Sequence, residues 1–188
     1  GLLRAAPTCL LGLTAFLYTR ARFGYRVTAA VLCGAAGDFF LASLSRDWLM
    51  PGLAAFFAGH ALYIAAFARD LSFSRTRLAV LLPALLAMGV LTGCTIRHLV
   101  GGGEPHLAAP GVAYVLLMAA MLAVCVLHRS PTPWVGAGAL VFVVSDAHIA
   151  VNHQLLPAPL LVLTLTGYTT YYLAQFLLVF GAAREINT

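Results

Sequence analysis

The sequence runs to 188 residues with a formal net charge of +5, 62% hydrophobic and only 9% charged residues, and a mean hydropathy of +0.94. Apolar runs of about 20 residues recur along it, which excludes an ordinary soluble domain and indicates a polytopic membrane protein. All eleven basic residues are Arg. Lysine Schiff-base chemistry, to retinal or to a substrate carbonyl, is therefore excluded, and arginines at segment ends account for the positive charge without a nucleic acid partner.

Seven apolar segments follow in chain order, over residues 2–19, 26–44, 49–69, 77–96, 108–127, 133–152 and 159–183. Each can cross about 30 Å of hydrocarbon at a rise of about 1.5 Å per residue. The expected fold is all-α, one transmembrane helix bundle over residues 1–188. Gly1 lies inside an apolar stretch that lacks a signal-peptide n-region or cleavage site, so the full protein is expected to begin upstream. The connections are short: Arg20-Ala21-Arg22, Arg46-Asp47, Arg69-Asp70 with Arg75 and Arg77, Gly101-Gly102-Gly103-Glu104-Pro105, Arg129-Ser130-Pro131 and Leu156-Pro157. Arg20, Arg22, Arg26, Arg69, Arg75, Arg77, Arg129 and Arg184 fall on one side and Arg4, Arg46 and Arg97 on the other, which predicts a cytoplasmic C-terminus. Cys9, Cys33, Cys94 and Cys125 stand singly in apolar segments and read as small buried hydrophobes, not as a zinc or disulfide framework.

Two stretches break the apolar pattern, Gly37-Asp38-Phe39-Phe40-Leu41 and Gly59-His60-Ala61-Leu62-Tyr63. A carboxylate at mid-membrane costs about 3 kcal/mol or more unless it faces a protein interior, a partner or water, so Asp38 marks a functional site. The pattern returns at an offset of 108: Asp38 matches Asp146, Gly59 Gly167, Tyr63 Tyr171, Pro51 Pro159, Val27 Val135, Leu53 Leu161 and Ala66 Ala174, while His60 is replaced by Tyr168. This spacing predicts two parallel repeats, residues 2–69 and 110–177, with an eighth helix upstream of Gly1. Both aspartates then lie roughly six residues, or about 9 Å, below the non-cytoplasmic interface.

Helical spacing aligns Phe56, His60, Tyr63 and Phe67 on one face, and Thr164, Tyr168, Tyr171, Tyr172 and Gln175 on another. Both faces should turn inward, as a site lining or as interhelical hydrogen-bonding glue. His60 reads equally as an interior histidine or a catalytic one. Arg4, at the aspartate end, has three readings: an ion-pair partner of an aspartate, a snorkelling interfacial residue, or a clamp for a phosphate headgroup. His148, Asn152 and His153 read as an interfacial polar cap. Metal ligation by Asp38, His60, Asp146 and His148 can be drawn, but there is no HExxH, and the His148 to His153 spacing does not stack two imidazoles on one face. No metal or cofactor is expected.

The GD(x)2L of Gly37 to Leu41, the GH(x)2Y of Gly59 to Tyr63, Ser145-Asp146 and the run Tyr171-Tyr172-Leu173-Ala174-Gln175 together resemble the lysoplasmalogenase family, the YhhN-like multi-pass membrane proteins. The likeness covers essentially the whole chain. Arg4, followed by Pro7, stands where that family usually has a Lys followed by a Pro. The resemblance implies an eight-helix enzyme that hydrolyses the vinyl ether bond of lysoplasmalogens to a fatty aldehyde and glycerophosphocholine or glycerophosphoethanolamine. Its partners would be a lysophospholipid substrate and membrane lipid, and its place the inner membrane if the source is bacterial.

The residues suit that chemistry. Vinyl ether hydrolysis protonates the β carbon, forms an oxocarbenium ion and adds water, so an acid and a cation-stabilising base are wanted, as in glycosidases. Asp38 and Asp146 are the catalytic candidates. Arg4, His60, Tyr63, Ser145, Tyr168, Tyr171, Tyr172 and Gln175 are candidates for binding or orienting substrate. The competing readings are a proton-coupled transporter or lipid-binding protein using the same aspartates, and an intramembrane zinc hydrolase of the ceramidase type, for which the histidine pattern is lacking.

Overall fold

A computed structural model describes residues 2–18, 22–42 and 48–186. The loop positions Arg20, Ala21, Arg46 and Asp47, and the side chains of Arg22 and His153, lie outside the described residues. Seven α-helices follow one another: α1 (Leu2–Tyr18), α2 (Arg22–Leu41), α3 (Leu49–Phe67), α4 (Arg75–Gly101), α5 (Ala108–Leu127), α6 (Trp134–Ala150) and α7 (Leu161–Ile186). A 3-10 turn at Pro105–Leu107 leads into α5, and a π-helical turn at Val151–Leu155 follows α6. Among the described residues there is no β-strand beyond an isolated bridge between Leu71 and His128.

Local chemistry sets the breaks. Asp70 takes a positive φ of 53°, a left-handed conformation that Asp tolerates better than most side chains, and it turns the chain after α3. Ser74 then caps α4 by accepting from the Arg77 N–H at 3.3 Å. Gly103, at a φ of 83°, makes the turn between α4 and α5.

Helices α2 and α3, α6 and α7, and α1 and α2 pack as neighbours, α5 joins α3 to α6, and α1 and α2 both touch α7. The core is built from Val27, Val31, Tyr63, Phe67, Met121, Leu122, Val135, Phe142 and Leu178, each at most 2% exposed. Contacts fix the helix directions. A Cβ on Gly34 would meet Gln175 and the Tyr171 hydroxyl, a Cβ on Gly138 would meet Leu178 and Ala174, and Gly167 lies against His148. Both α2 and α6 therefore run antiparallel to α7, and so parallel to each other.

The outer surface is apolar: Leu86 is 70% exposed, Leu161 72%, Leu10 66% and Leu116 65%. Water around such a belt would forgo about 25 cal/mol per Å² of apolar area, and contiguous patches of this kind mark a membrane-facing surface. Helices α3, α4 and the stretch Pro105–Leu127 are long and apolar enough to cross a membrane, with α4 burying least of its surface inside the protein. The other four segments, expected as equals, are shorter or more polar: α1 and α6 have 17 residues each. Helices α2 and α7 are long enough, but carry the polar faces that meet inside the bundle. The protein is thus an all-helical membrane protein.

Candidate active site

The polar side chains of α1, α2, α3, α5, α6 and α7 form two linked groups. The first surrounds Asp38, three residues before the end of α2 and only 6% exposed. The Thr8 hydroxyl of α1 donates to Asp38 Oδ2 at 2.8 Å, and the Tyr171 hydroxyl and Arg4 face the same carboxyl. Tyr171 accepts from Gln175 Nε2 at 3.3 Å, and Gln175 Oε1 accepts a short bond from the Tyr63 hydroxyl. A continuous chain of polar groups thus crosses from α3 through α7 to α2. Gly34 permits it, because a Cβ there would lie 2.7 Å from Gln175 Nε2 and 2.8 Å from the Tyr171 oxygen.

The second group surrounds Asp146, four residues before the end of α6 and half-buried. Its Oδ2 accepts from the Tyr114 hydroxyl of α5 at 2.5 Å. The Tyr114 ring stands edge-on to His60 at 5.2 Å, and Phe142 stands between His60 and Tyr171, 5.0 Å from the first and 5.6 Å from the second. His60 is 2% exposed; its Nδ1 lies 2.7 Å from the Phe56 carbonyl. A carbonyl can only accept, so Nδ1 carries the hydrogen and Nε2 holds a lone pair. Among the described residues that buried Nε2 has no hydrogen-bond partner, which is rare for a polar atom in a protein interior and marks it as an acceptor in wait of a donor.

A small space lined by Ala30, Gly34, Phe56, Gly59, His60, Tyr63, Phe142 and Gln175 is too tight to admit water. Of the candidate site residues, it brings together His60, Tyr63 and Gln175. Asp38, Asp146, Tyr168 and Tyr171 lie outside its lining. The Asp38 carboxyl faces Tyr171 of α7, whereas Ser145, beside Asp146, bonds the Gly167 carbonyl at 3.0 Å. Along α7 those two partners are one turn, or about 6 Å, apart. Asp38 is three residues from the end of α2, and Asp146 is four from the end of α6, whose helical path continues through the π-helical turn Val151–Leu155.

Toward the outer end of α1, Arg4 Nη1 donates to the Tyr168 hydroxyl at 2.6 Å, and its guanidinium lies 5.0 Å from the centre of the same ring. Tyr172 donates to the Arg4 carbonyl at 2.9 Å. Ser145 is a staple between α6 and α7, its hydroxyl committed to the Gly167 carbonyl. Asn152 links the end of α6 to the start of α7, donating to Thr164 Oγ1 and accepting from the Leu160 N–H. His148 turns back on its own helix, at 2.7 Å from the Val144 carbonyl. Among the described residues no three His, Cys, Asp or Glu side chains converge as metal ligands.

Thr8 and Tyr114 were missed in the sequence. Tyr114 had a signal, as a lone phenol in an otherwise apolar helix, where a polar group needs a partner. Thr8 had a weaker one, four residues after Arg4 and so on the same helical face.

Residues 2–182 match the YhhN family. The chain is 32% identical over 177 residues to the human protein named lysoplasmalogenase TMEM86B, covering 94% of this chain and 72% of that one. It is 34% identical over 186 residues to the protein of that name from Sus scrofa, covering 96% and 76%, and 29% identical over 182 residues to a lysoplasmalogenase of Mycobacterium bovis, covering 95% and 68%. No solved structure matches the chain.

Proposed function

We propose that this chain, which belongs to the YhhN family, is a lysoplasmalogenase: a membrane hydrolase that cleaves the vinyl ether of a lysoplasmalogen into a fatty aldehyde and glycerophosphocholine or glycerophosphoethanolamine. The observation that carries this reading, beside the names of its relatives, is the matched placement of two carboxyls near the same end of parallel helices. Each accepts a hydroxyl hydrogen bond from the preceding helix.

The surroundings divide the roles. Asp38 has the Thr8 and Tyr171 hydroxyls and the Arg4 cation about it, contacts that favour a carboxylate against its burial, and it takes the role of stabilising the oxocarbenium ion. Asp146 has a single phenol and is the proton donor; its carbonyl oxygen accepts from Tyr114 while its O–H points at the β carbon. The reaction then balances: the Asp146 proton adds to the β carbon, water adds to the α carbon and gives up a proton that restores the Asp146 carboxyl, and the hemiacetal collapses with its hydroxyl proton passing to the departing glycerol oxygen, leaving the aldehyde. His60 Nε2 holds the attacking water once substrate has opened the small space that His60 helps to line. Tyr63, Gln175 and Tyr171 hold the carboxylate in place, Ser145 fixes α6 against α7, and Arg4, Tyr168 and Tyr172 orient the substrate from the outer end.

The architecture fits two parallel repeats, 2–69 and 110–177, within one transmembrane domain. The shared direction of α2 and α6 supports this, as does the reciprocal packing of α3 on α5 and of α7 on α1. An eighth helix upstream, a cytoplasmic C-terminus and residence in the inner membrane if bacterial belong to the same proposal. The test is aldehyde release by purified protein from lysoplasmenyl choline and ethanolamine lipids, with the ester-linked lysolipid as control. In heavy water, carbon protonation must place one deuterium on C2 of the aldehyde at early times. Aldehyde without that label rules out the carbon acid, and tight lipid binding with no cleavage favours a transporter or lipid carrier.

A further inference from the structure

We propose that Arg4, held by Tyr168 and Tyr172, is a phosphodiester clamp that selects lysolipids by the distance between phosphate and ether. This rests on the lysoplasmalogen reading and adds to it the element that measures the headgroup. A guanidinium has five N–H donors in a fixed fork. One nitrogen of Arg4 is committed to the Tyr168 hydroxyl at 2.6 Å, and the group is steadied by the same ring 5.0 Å away. Tyr172 pins the Arg4 backbone through its carbonyl at 2.9 Å. The cation is thus anchored from α7 on one edge while the residue itself is exposed. That leaves the remaining donors at the α1–α7 seam for a planar, paired approach by two phosphate oxygens.

Arg4 and Thr8 are four residues apart on one face of α1, and Thr8 is the residue that bonds Asp38. The clamp therefore lies one helical turn, about 6 Å, outward from the carboxyl. In a glycerophospholipid with its ether at the first glycerol carbon, five bonds separate the ether oxygen from phosphorus, an extended span of about 6 Å. The two lengths agree. A phosphate seated on Arg4 sets the ether oxygen level with Asp38 and leaves the alkenyl chain to run deeper along the apolar seam. The same fork would accept any phosphomonoester or phosphodiester, so it gives no preference between choline and ethanolamine. It discriminates against alkenylglycerols that lack phosphate.

Binding to the purified protein in nanodiscs tests this without relying on turnover. The probes are a saturated alkyl-ether lysophosphocholine, which cannot be cleaved, the corresponding lysophosphoethanolamine, the alkylglycerol of the same chain length, and inorganic phosphate. The wild type should bind both phosphate-bearing ethers at least roughly tenfold more tightly than the alkylglycerol, the worth of one charge-assisted contact. Arg4→Gln should abolish that preference, and Arg4→Lys should recover part of it. Tyr168→Phe, which keeps the cation and removes its anchor, should give an intermediate loss. Equal wild-type affinity for phosphorylated and unphosphorylated ethers overturns the clamp, as does an Arg4→Gln protein that keeps the preference. Displacement of the lysolipid by inorganic phosphate at comparable concentration assigns the site to free phosphate and overturns the lysolipid assignment. If the preference depends on Arg4 but no aldehyde is ever released, the clamp stands and the hydrolase reading falls.

Discussion

Helices α2 and α6 each carry a carboxyl near their C-terminal end, and their neighbours surround it differently. Each carboxyl takes a hydroxyl from the preceding helix, but the donor is the aliphatic Thr8 in one and the phenol of Tyr114 in the other. Asp38 is buried and tied into the Tyr63–Gln175–Tyr171 chain; Asp146 is half-buried and has Tyr114 beside it. The difference teaches that like positions on two helices do not make like groups: what each carboxyl can do is set by its partners. A pair of identical acids is turned into two unlike ones by side chains contributed from other helices.

The largest effects should come from the carboxyls themselves. Asp38→Asn and Asp146→Asn should each lower kcat by about 10² to 10⁴, the range for losing general acid or base help, with the near-isosteric amide leaving lipid binding almost intact. Aldehyde-release kinetics decide it, and either variant turning over at the wild-type rate removes that residue from the chemistry. Thr8→Val and Tyr114→Phe sharpen the comparison at smaller amplitude. Each leaves a carboxyl short of one donor, at about 1–3 kcal/mol, or roughly 5- to 100-fold in kcat. Because protonation of the β carbon is the step that generates the oxocarbenium ion, pre-steady-state deuterium incorporation at C2 should slow in both Tyr114→Phe and Thr8→Val. Incorporation at the wild-type rate in either variant would break the role assigned to the carboxyl it serves.

The carboxyls, His60 and the aromatic faces were legible in the sequence because lipid offers an ionisable or hydroxyl side chain no partner, so such a group in a spanning helix must turn toward the protein interior or toward water. What could not be read was the third dimension of each group. Ser145, adjacent to Asp146, spends its hydroxyl on the Gly167 carbonyl, a partner 22 residues away that no local pattern announces. Thr8 and Tyr114 become relevant only because helix rotation turns them toward a neighbour. Residues 68–74 show the converse limit: one left-handed residue, Asp70, ends α3, whereas α7 runs without a break to Ile186. Hydropathy averages do not see a single φ angle.

Packing extends the comparison to helix seams. Gly138 lies where a Cβ would come within 2.9 Å of the Leu178 backbone nitrogen and 3.1 Å of the Ala174 carbonyl oxygen. Neither backbone atom can yield cheaply, so Gly138→Ala should destabilise by about 1–3 kcal/mol. A Cβ on Gly93 of α4 would meet no atom of another element within 4 Å among the described residues, and Gly93→Ala should be neutral or stabilise by up to about 1 kcal/mol through helix propensity. Unfolding in detergent measures both, and a tolerated Gly138→Ala would mean that the α6–α7 seam is looser than its glycine implies.

The smallest effect lies at the opposite end of the bundle, where Arg77 and Glu185 occupy positions 108 apart and close on the same residue, His128. Just beyond α5, His128 Nδ1 is 2.8 Å from the Arg69 carbonyl and Nε2 is 3.0 Å from Glu185 Oε2. Both partners only accept, so both contacts are hydrogen bonds at once only for the imidazolium. Burial works against the charged ring, and so does the Arg77 guanidinium, but the Glu185 and Arg69 contacts outweigh them and hold its pKa above the ordinary histidine value. A pKa raised on folding contributes stability that is complete below the unfolded value of about 6.5 and is lost as pH rises through the higher folded one. Melting of the wild type should therefore weaken by about 1 kcal/mol or less between about pH 6 and pH 9. Glu185→Gln should flatten that dependence by removing the carboxylate that favours the cation. Arg77 donates to the Val126 carbonyl at 2.9 Å and to that of His128, and arginine does not titrate in this range. Arg77→Gln should lower the melting temperature at every pH while keeping the downward slope, and a Glu185→Gln protein with the wild-type slope would show that the ring is neutral throughout.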